Sequence, residues 1–163
     1  MWVYPADVVR QIDDGARVGV NAKLISTDFE LVQKRTWEVV LEDRHNIENA
    51  VKSDPTVKLY PTTAYFESDH VLVAGKERIH APKIVIAAGA RTKVPGIPGL
   101  REAGFRTSED IFEIKELPPK ITIIGGGYKA CEFGHFFSAF GSEVTIIGRN
   151  VRLVPDEEPE ISE

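Results

Sequence analysis

The chain has little of three features that would each assign it to a class of protein. Cys131 is its single cysteine, so no disulfide can form within the chain. No apolar run approaches the roughly 20 residues that a membrane-spanning helix needs. Lysine and arginine form no cluster that would offset the net charge of −5 at pH 7. These absences argue against a membrane protein and against a nucleic-acid partner.

The first five residues have neither the basic start nor the apolar core of a signal peptide, so we expect a cytoplasmic protein. The 163 residues, 42% hydrophobic and 28% charged, are typical of one globular domain or two small ones. None of the four histidines has a partner at the spacing of a metal site or a catalytic base. We therefore predict no metal centre in this chain.

The most informative segment is a short apolar strand, residues 121–124, that runs directly into a glycine-rich turn. The turn reads G-x-G-x-x-A, with Gly125, Gly127 and Ala130 at the marked positions. In a dinucleotide-binding unit the first glycine allows the tight turn and the second lets the backbone approach a pyrophosphate. The small third residue lets the helix close onto the strand. The helix N-terminus then faces the anion.

The residues after this turn fit the same unit. Apolar side chains recur at helical spacing, Gly141 supplies a stop, and residues 144–147 read as a second buried strand. The helical set comprises Phe133, Phe136, Phe137 and Phe140. The pattern predicts a nucleotide-binding βαβ unit. The alternative is a glycine turn in an ordinary α/β protein.

The rest of the chain gives a coarser pattern. We predict a helix over residues 5–12 and a second one from a cap at Thr27 or Asp28 to Ser53. Strands are predicted over 57–60 and 71–73, and a continuous apolar strand over 83–90. Residues 94–100 are predicted to be irregular, and prolines 118 and 119 mark a domain boundary.

Several segments together resemble the pyridine nucleotide-disulfide oxidoreductases, flavoproteins that bind two dinucleotides. The resemblance covers almost the whole chain in the family's order. It is carried by residues 3–8, 84–91, 94–100, 107–111, 116–118, 125–128, 132–133 and 137–141. It implies an α/β, partial two-dinucleotide-binding flavoprotein fold, in which a Rossmann-like βαβ unit follows a remnant of an FAD-binding domain. Residues 1–117 would be the partial FAD-binding domain and residues 118–163 the first half of the NAD(P)-binding domain.

The resemblance also implies residues that contact FAD. Ala88 and Gly89 match the small residues whose backbone passes the flavin nucleotide, with Ala88 where threonine is usual. Thr62, Thr63 and Ala64 match the turn that touches the adenine end of FAD, with threonine where glycine is frequent. Without the resemblance, each position would be read as an ordinary strand end.

On the nicotinamide side, Tyr128 matches an aromatic residue that covers the nicotinamide pocket, and Glu132 matches an acid that approaches the flavin. Lys129 stands where the family has an aliphatic residue, and we expect it to face water rather than a phosphate. An NAD-type site usually has an acid at the end of the second strand.

At the end of the second strand, where an NAD-type site has an acid, this chain has Gly148, and Arg149 follows it. A guanidinium suits a 2′-phosphate, which a carboxylate would repel, so the sequence favours NADP(H) with Arg149 as a ligand. Arg152 is a second candidate, and a solvated loop is the alternative.

In the family, hydride passes from NADPH to FAD, and electrons then pass to a C-x-x-x-x-C disulfide. A histidine of the partner subunit in a homodimer handles the proton. The cysteine pair would lie upstream of Met1 and the histidine beyond Glu163, so we predict no catalytic residue here. The chain would resemble the central third of a reductase and would not reduce a disulfide substrate alone.

Within the family, the mycothione reductases resemble the chain most. Alternatives are a fragment from the dihydrolipoamide dehydrogenase or mercuric reductase branch and, in another class, a non-catalytic nucleotide-binding or interaction remnant.

Overall fold

The computed structural model describes residues 1–162 and divides into two compact units. One unit contains Met1–Val40 and the chain from Gly96 onward, and the other contains Leu41–Pro95. These units do not follow the expected division after residue 117. A boundary between two nucleotide-binding domains after residue 117 stays a prediction. The predicted second domain ends at Glu163, which lies outside the described residues. Among residues 1–162, no helix combines the length and apolar character needed to cross a membrane.

Two long helices open the chain. Helix α1, Val3–Asp14, continues into a 3-10 turn, Gly15–Val18. Helix α2, Phe29–Ser53, begins where the amide of Leu31 donates to Asp28 Oδ1 at 2.9 Å. A carboxylate at this position satisfies one of the amides that a helix start leaves free. Both predicted helices are confirmed, and so is Asp28 as the cap.

The first unit also contains the predicted βαβ arrangement. Strand β4, Lys120–Ile124, is followed by helix α4, Tyr128–Ala139, and by strand β5, Glu143–Ile147. The two strands pair in parallel, with Ile121 opposite Val144. Helix α4 ends just before Gly141, the predicted stop, whose φ of 102° is left-handed. The amide of Ser142 then donates to the carbonyl of Phe137 at 2.9 Å.

An aromatic cluster holds α4 in place. Phe136 and Phe137 are fully buried, and the ring of Trp2 stacks on Phe136 at 4.3 Å while it meets Phe137 edge to face. Trp2 itself is only 4% exposed. Burial of such large rings is the main apolar stabilisation of a small core, at about 1.5–3 kcal/mol per side chain. The helical phenylalanine pattern thus marks the core of this unit.

Polar contacts fix α1 against α4. His135 Nε2 lies 2.8 Å from Asp7 Oδ1, and Arg10 donates to Ser138 Oγ at 2.8 Å. Both contacts join side chains that are 128 residues apart in sequence. His135 therefore has a structural partner, in keeping with the structural role expected for the histidines.

The second unit contains an antiparallel three-stranded sheet. Strands β1, Ala64–Ser68, β2, Val71–Ala74, and β3, Glu77–His80, pair in sequence order, with β2 in the middle. The strand predicted over 71–73 is confirmed as β2. The outer strands β1 and β3 were not predicted, and the strand predicted over 57–60 is wrong, since those residues are irregular.

The apolar strand predicted over 83–90 is also wrong. These residues adopt no regular structure, and Val85 and Ile86 are 90% and 74% exposed. A strand exists only when its backbone groups pair with a neighbour, and no strand among residues 1–162 pairs with this segment. The segment thus has the composition of a buried strand, but no strand in the described residues pairs with it.

The remaining elements are short. They are helix α3, Leu100–Ala103, a 3-10 turn at Ile111–Glu113, and helix α5, Pro159–Ser162. Residues 94–97 are irregular, as predicted, up to the turn that precedes α3.

Candidate dinucleotide-binding site

The glycine turn connects β4 to α4 at the carboxyl end of the parallel strand pair. Gly125 has a φ of 124°, a backbone conformation that a residue with a side chain rarely adopts. Its amide donates to the carbonyl of Ile147, the last residue of β5, at 2.8 Å. Gly125 therefore reverses the chain and ties the turn to the end of the second strand.

The space next to Gly127 is open. A Cβ atom built on this residue would have no atom within 4 Å, although its φ and ψ of −85° and −179° suit any residue. Within residues 1–162, the amides of Gly127 and Tyr128 have no backbone acceptor. Helix α4 also has no side-chain cap and no acidic residue in its first turn. The turn thus offers free donors and the positive end of a helix dipole, which fits a pyrophosphate.

Small residues bring α4 close to the strands behind the turn. Ala130 is 5% exposed. A Cβ atom at Gly134 would lie 3.2 Å from Cδ1 of Ile146 on β5, which is tighter than ordinary contact. The role predicted for Ala130, close packing of helix and strand, is shared with Gly134, which was not predicted.

The segment after β5 folds back over the turn. The amide of Val154 donates to the carbonyl of Gly126 at 2.6 Å, and a Cβ atom at Gly126 would lie 3.4 Å from Leu153. Arg149, the predicted 2′-phosphate ligand, is exposed at the start of this segment. Arg152 lines an open cavity of about 300 Å³ with Asn150, Val151, Pro155, Glu157, Pro159 and Ser162. No sequence pattern predicted that cavity.

Tyr128 and Glu132 lie four residues apart in the first two turns of α4 and therefore on one side of the helix. Tyr128 is 65% exposed and Glu132 is also exposed. Both are available to a ligand at the turn, and their roles toward nicotinamide and flavin stay predictions.

The residues predicted to contact FAD lie in the second unit. Thr62 and Thr63 precede β1 and Ala64 begins it, while Ala88 and Gly89 lie in the irregular segment, and all five are exposed. None of them lines the open groove of about 430 Å³ in this unit, which lies between Phe66, His70 and Ile84. In the described residues these five positions enclose no flavin pocket, so we derive no chemical step through FAD.

A capped turn at residues 107–110 lies beside the start of α4. Asp110 Oδ1 accepts hydrogen bonds from the amide and the hydroxyl of Thr107 at 2.5 and 3.0 Å. The bond from the Thr107 amide holds the pKa of Asp110 below its usual value. Lys129 Nζ donates to Ser108 Oγ at 3.0 Å. Lys129 is exposed to water, as expected, and also contacts the Ser108 hydroxyl group.

Residues 1–162 contain no group of three or more histidine, cysteine, aspartate or glutamate side chains that could hold a metal ion.

Comparisons with known proteins agree with this geometry. The model of the family described as pyridine nucleotide-disulphide oxidoreductase matches residues 7–163. Sequence relatives include a mercuric reductase of Bacillus cereus, 34% identical over 90% of this chain and 23% of the relative. A mycothione reductase of Mycobacterium tuberculosis is 31% identical over 94% of this chain and 35% of the relative.

A solved structure shares the fold. The flavoprotein disulfide reductase RclA from Escherichia coli, described as HOCl-induced, has a TM-score of 0.72 and 32% identity over 96% of this chain. The match covers 34% of the RclA chain. The protein described here thus spans about a quarter to a third of the length of these relatives.

Proposed function

The chain belongs to the pyridine nucleotide-disulphide oxidoreductase family, and on this premise we propose that it forms the nicotinamide-nucleotide half-site of an NADPH-dependent, FAD-containing disulfide reductase. The open space beside Gly127, flanked by amides without acceptors, carries the proposal. A phosphate group placed there receives backbone hydrogen bonds and lies at the positive end of α4. Gly125 and Ala130 provide the turn and the close packing that keep those amides in place.

The choice of NADPH over NADH rests on the end of β5. Gly148 follows the strand where NAD-type sites carry an acid, and the exposed Arg149 comes next. An acid at this position would repel a 2′-phosphate, and its absence removes that repulsion. Arg149 can provide a planar fork of donors to the same group.

A bound NADPH would supply hydride-transfer chemistry to the reductase. The residues of this chain would bind and orient the nucleotide: the turn amides would hold the pyrophosphate and Arg149 the 2′-phosphate. Tyr128 would cover the nicotinamide pocket, and Glu132 would approach the flavin. Since Cys131 is the single cysteine, the chain supplies no pair of thiols. We therefore assign it cofactor binding and not disulfide exchange, and expect no turnover of a disulfide by this chain alone.

The substrate branch is part of the proposal. Residues 4–7, together with Gly148 and Arg149, favour the mycothione reductases. Mercuric reductase and dihydrolipoyl dehydrogenase relatives, at 34% and 29% identity, are the alternative branches. The proposal includes contacts with FAD through Thr62–Ala64 and Ala88–Gly89. It also includes a homodimer in the intact family and a cytoplasmic location.

The test is a titration of the purified chain with NADPH and with NADH, followed by protection against thermal unfolding. We expect saturable stabilisation by NADPH and weaker stabilisation by NADH. In Arg149→Glu the NADPH effect should be lost and the NADH effect kept, because only NADPH carries the 2′-phosphate. Lys115→Glu, at an exposed lysine outside the turn, is the control for the change in net charge.

Two outcomes would contradict the proposal. Stabilisation by neither nucleotide would show that the glycine turn binds no dinucleotide in this chain and would favour a remnant without nucleotide binding. Equal stabilisation by both, unaffected in Arg149→Glu, would remove the NADPH preference while keeping the half-site.

A further inference from the structure

Lys129 has an electrostatically unfavourable position in the free protein. It is the second residue of α4, where the helix dipole presents its positive end and where an acidic side chain would be stabilising. No acidic residue occupies the first turn of this helix. A cation here is therefore repelled by the helix itself unless an anion lies nearby.

Lys129 forms no ion pair with a carboxylate of residues 1–162. The partner of Lys129 is the neutral hydroxyl of Ser108 at 3.0 Å, and within residues 1–162 no carboxylate lies within ion-pair distance of its Nζ. The neighbouring Asp110 is already engaged by Thr107 and by Arg106 at 3.3 Å. The hydrogen bond to Ser108 holds the ammonium group in place without neutralising it.

The position of Lys129 in the first turn of α4 favours an approach of its ammonium group to the glycine turn. Side chains in an α-helix lean toward its N-terminus, so Lys129 leans toward the turn that precedes the helix. Gly127 and Tyr128 at this end of the helix carry the amides without backbone acceptors. A lysine chain is long and flexible enough to move between a neutral partner and an anion bound at those amides.

We propose that Lys129 is a ligand of the nucleotide pyrophosphate, and that Ser108 holds its ammonium group until the nucleotide binds. The inference rests on the proposed function and adds a side-chain cation to a site otherwise built from backbone donors. Since the pyrophosphate is common to both nicotinamide nucleotides, Lys129 contributes equally to NADPH and NADH. In this respect it differs from Arg149, which discriminates between them.

Titration calorimetry of the chain and its Lys129→Met variant with both nucleotides tests this. We expect the Kd to rise about fivefold for NADPH and by the same factor for NADH. Lys129→Arg, which keeps the charge, should bind nearly as the parent chain does. The unliganded Lys129→Met protein should melt at the same temperature or slightly higher, because the repulsion from the helix dipole is gone.

Lys120→Met is the matched control. Lys120 begins β4, roughly 17 Å from Gly125 at the rise of a strand, and pairs with Glu143 at 2.6 Å. Its removal should leave both Kd values unchanged. If the parent chain binds both nucleotides and Lys129→Met binds them with the same Kd, the inference about Lys129 is wrong while the proposed function stands.

A fall in the melting temperature of unliganded Lys129→Met that accounts for the weaker binding would show a structural role and would also overturn the inference. If the parent chain binds neither nucleotide, the proposed function and the inference about Lys129 both fail.

Discussion

Gly127 has two separable roles, since it is the residue that precedes α4 and also the residue beside which the open space lies. Serine is a better residue before a helix, because its hydroxyl accepts a hydrogen bond from an amide of the first turn. The same hydroxyl would occupy the space and the donors that we assign to the pyrophosphate. Stability and binding should therefore respond to one substitution in opposite directions.

We predict that Gly127→Ser raises the melting temperature by about one to three degrees, or leaves it unchanged, and weakens NADPH binding at least tenfold. Thermal unfolding and calorimetric titration measure the two effects. Gly127→Ala, which adds a methyl group without a hydroxyl, should weaken binding less and give no gain in stability. Normal NADPH affinity in Gly127→Ser would contradict the assignment of the pyrophosphate to this turn.

Asp110 should make stability depend on acid pH. Its pKa in the folded chain lies below the usual 3.8 because the Thr107 amide donates to the carboxylate. A depressed folded pKa gives stability that is present above the unfolded value and is lost as the pH falls through the folded value. Asp110→Asn should therefore be less stable than the parent chain at pH 7, and this difference should shrink below about pH 4.

Urea unfolding at a series of pH values checks this, with Asp13→Asn on an exposed position of α1 as the matched loss of a carboxylate. A difference between Asp110→Asn and the parent chain that does not change between pH 7 and pH 3 would show that ionisation of this carboxylate does not stabilise the capped turn.

At the scale of elements, the approach of α4 to β5 depends on Gly134. A side chain there would meet Cδ1 of Ile146, the end of a flexible side chain. Gly134→Ala should be nearly neutral, because the gain in helix propensity, about 1 kcal/mol, offsets the tight contact. Gly134→Val should lower the free energy of unfolding by about 1–3 kcal/mol, since a well-packed interface does not accept the added volume.

Ile146→Val removes the atom that the new side chain would meet. In that background the loss caused by Gly134→Val should be smaller, and urea unfolding of the single and double variants measures the difference as a coupling. Equal losses in both backgrounds would place the clash elsewhere.

The elements also show which parts of the fold the sequence can predict. Strand β4, the glycine turn, α4 and β5 were predicted because their signals are local: short apolar runs, glycines at a turn and phenylalanines at helical spacing. The contact of Lys129 with Ser108 joins residues 21 apart, and no spacing rule connects them. The predicted residues Gly125, Gly127 and Tyr128 thus lie at the glycine turn and the start of α4, while Ser108, the partner of Lys129, could not be predicted.

The segment over 83–90 failed for a related reason. Its composition is that of a buried strand, but a strand requires a paired neighbour, and composition contains no information about whether one is present. The outer strands β1 and β3 were missed for the opposite reason, because they are short and mostly exposed and so show little apolar pattern.

At the scale of the whole molecule, exposed apolar groups determine behaviour in solution. Val85 and Ile86 lie in a stretch of β-branched residues without pairing, which is the composition that favours association between chains. Replacing both with threonine keeps the branched shape and adds a hydroxyl. We predict that the double variant scatters less light on concentration, while its free energy of unfolding changes by less than about 0.5 kcal/mol.

Leu41→Thr and Ile47→Thr on α2 form the matched pair, because these side chains are also exposed but lie on a helix. If the α2 pair reduces scattering as much as the pair at 85 and 86 does, association is a general effect of exposed apolar surface and does not arise from the unpaired segment.

The position of Trp2 has an optical consequence. Its indole stacks on Phe136 of α4, the helix whose N-terminus forms the proposed phosphate site. Tryptophan emission overlaps the absorption band of reduced nicotinamide, so a bound NADPH would accept excitation energy from Trp2. Trp37, whose indole donates to the carbonyl of Phe112 at 3.0 Å, is the other emitter, and Trp37→Phe would leave Trp2 as the single donor. The ring at the centre of the core can therefore report nucleotide binding by its own fluorescence, without an added label.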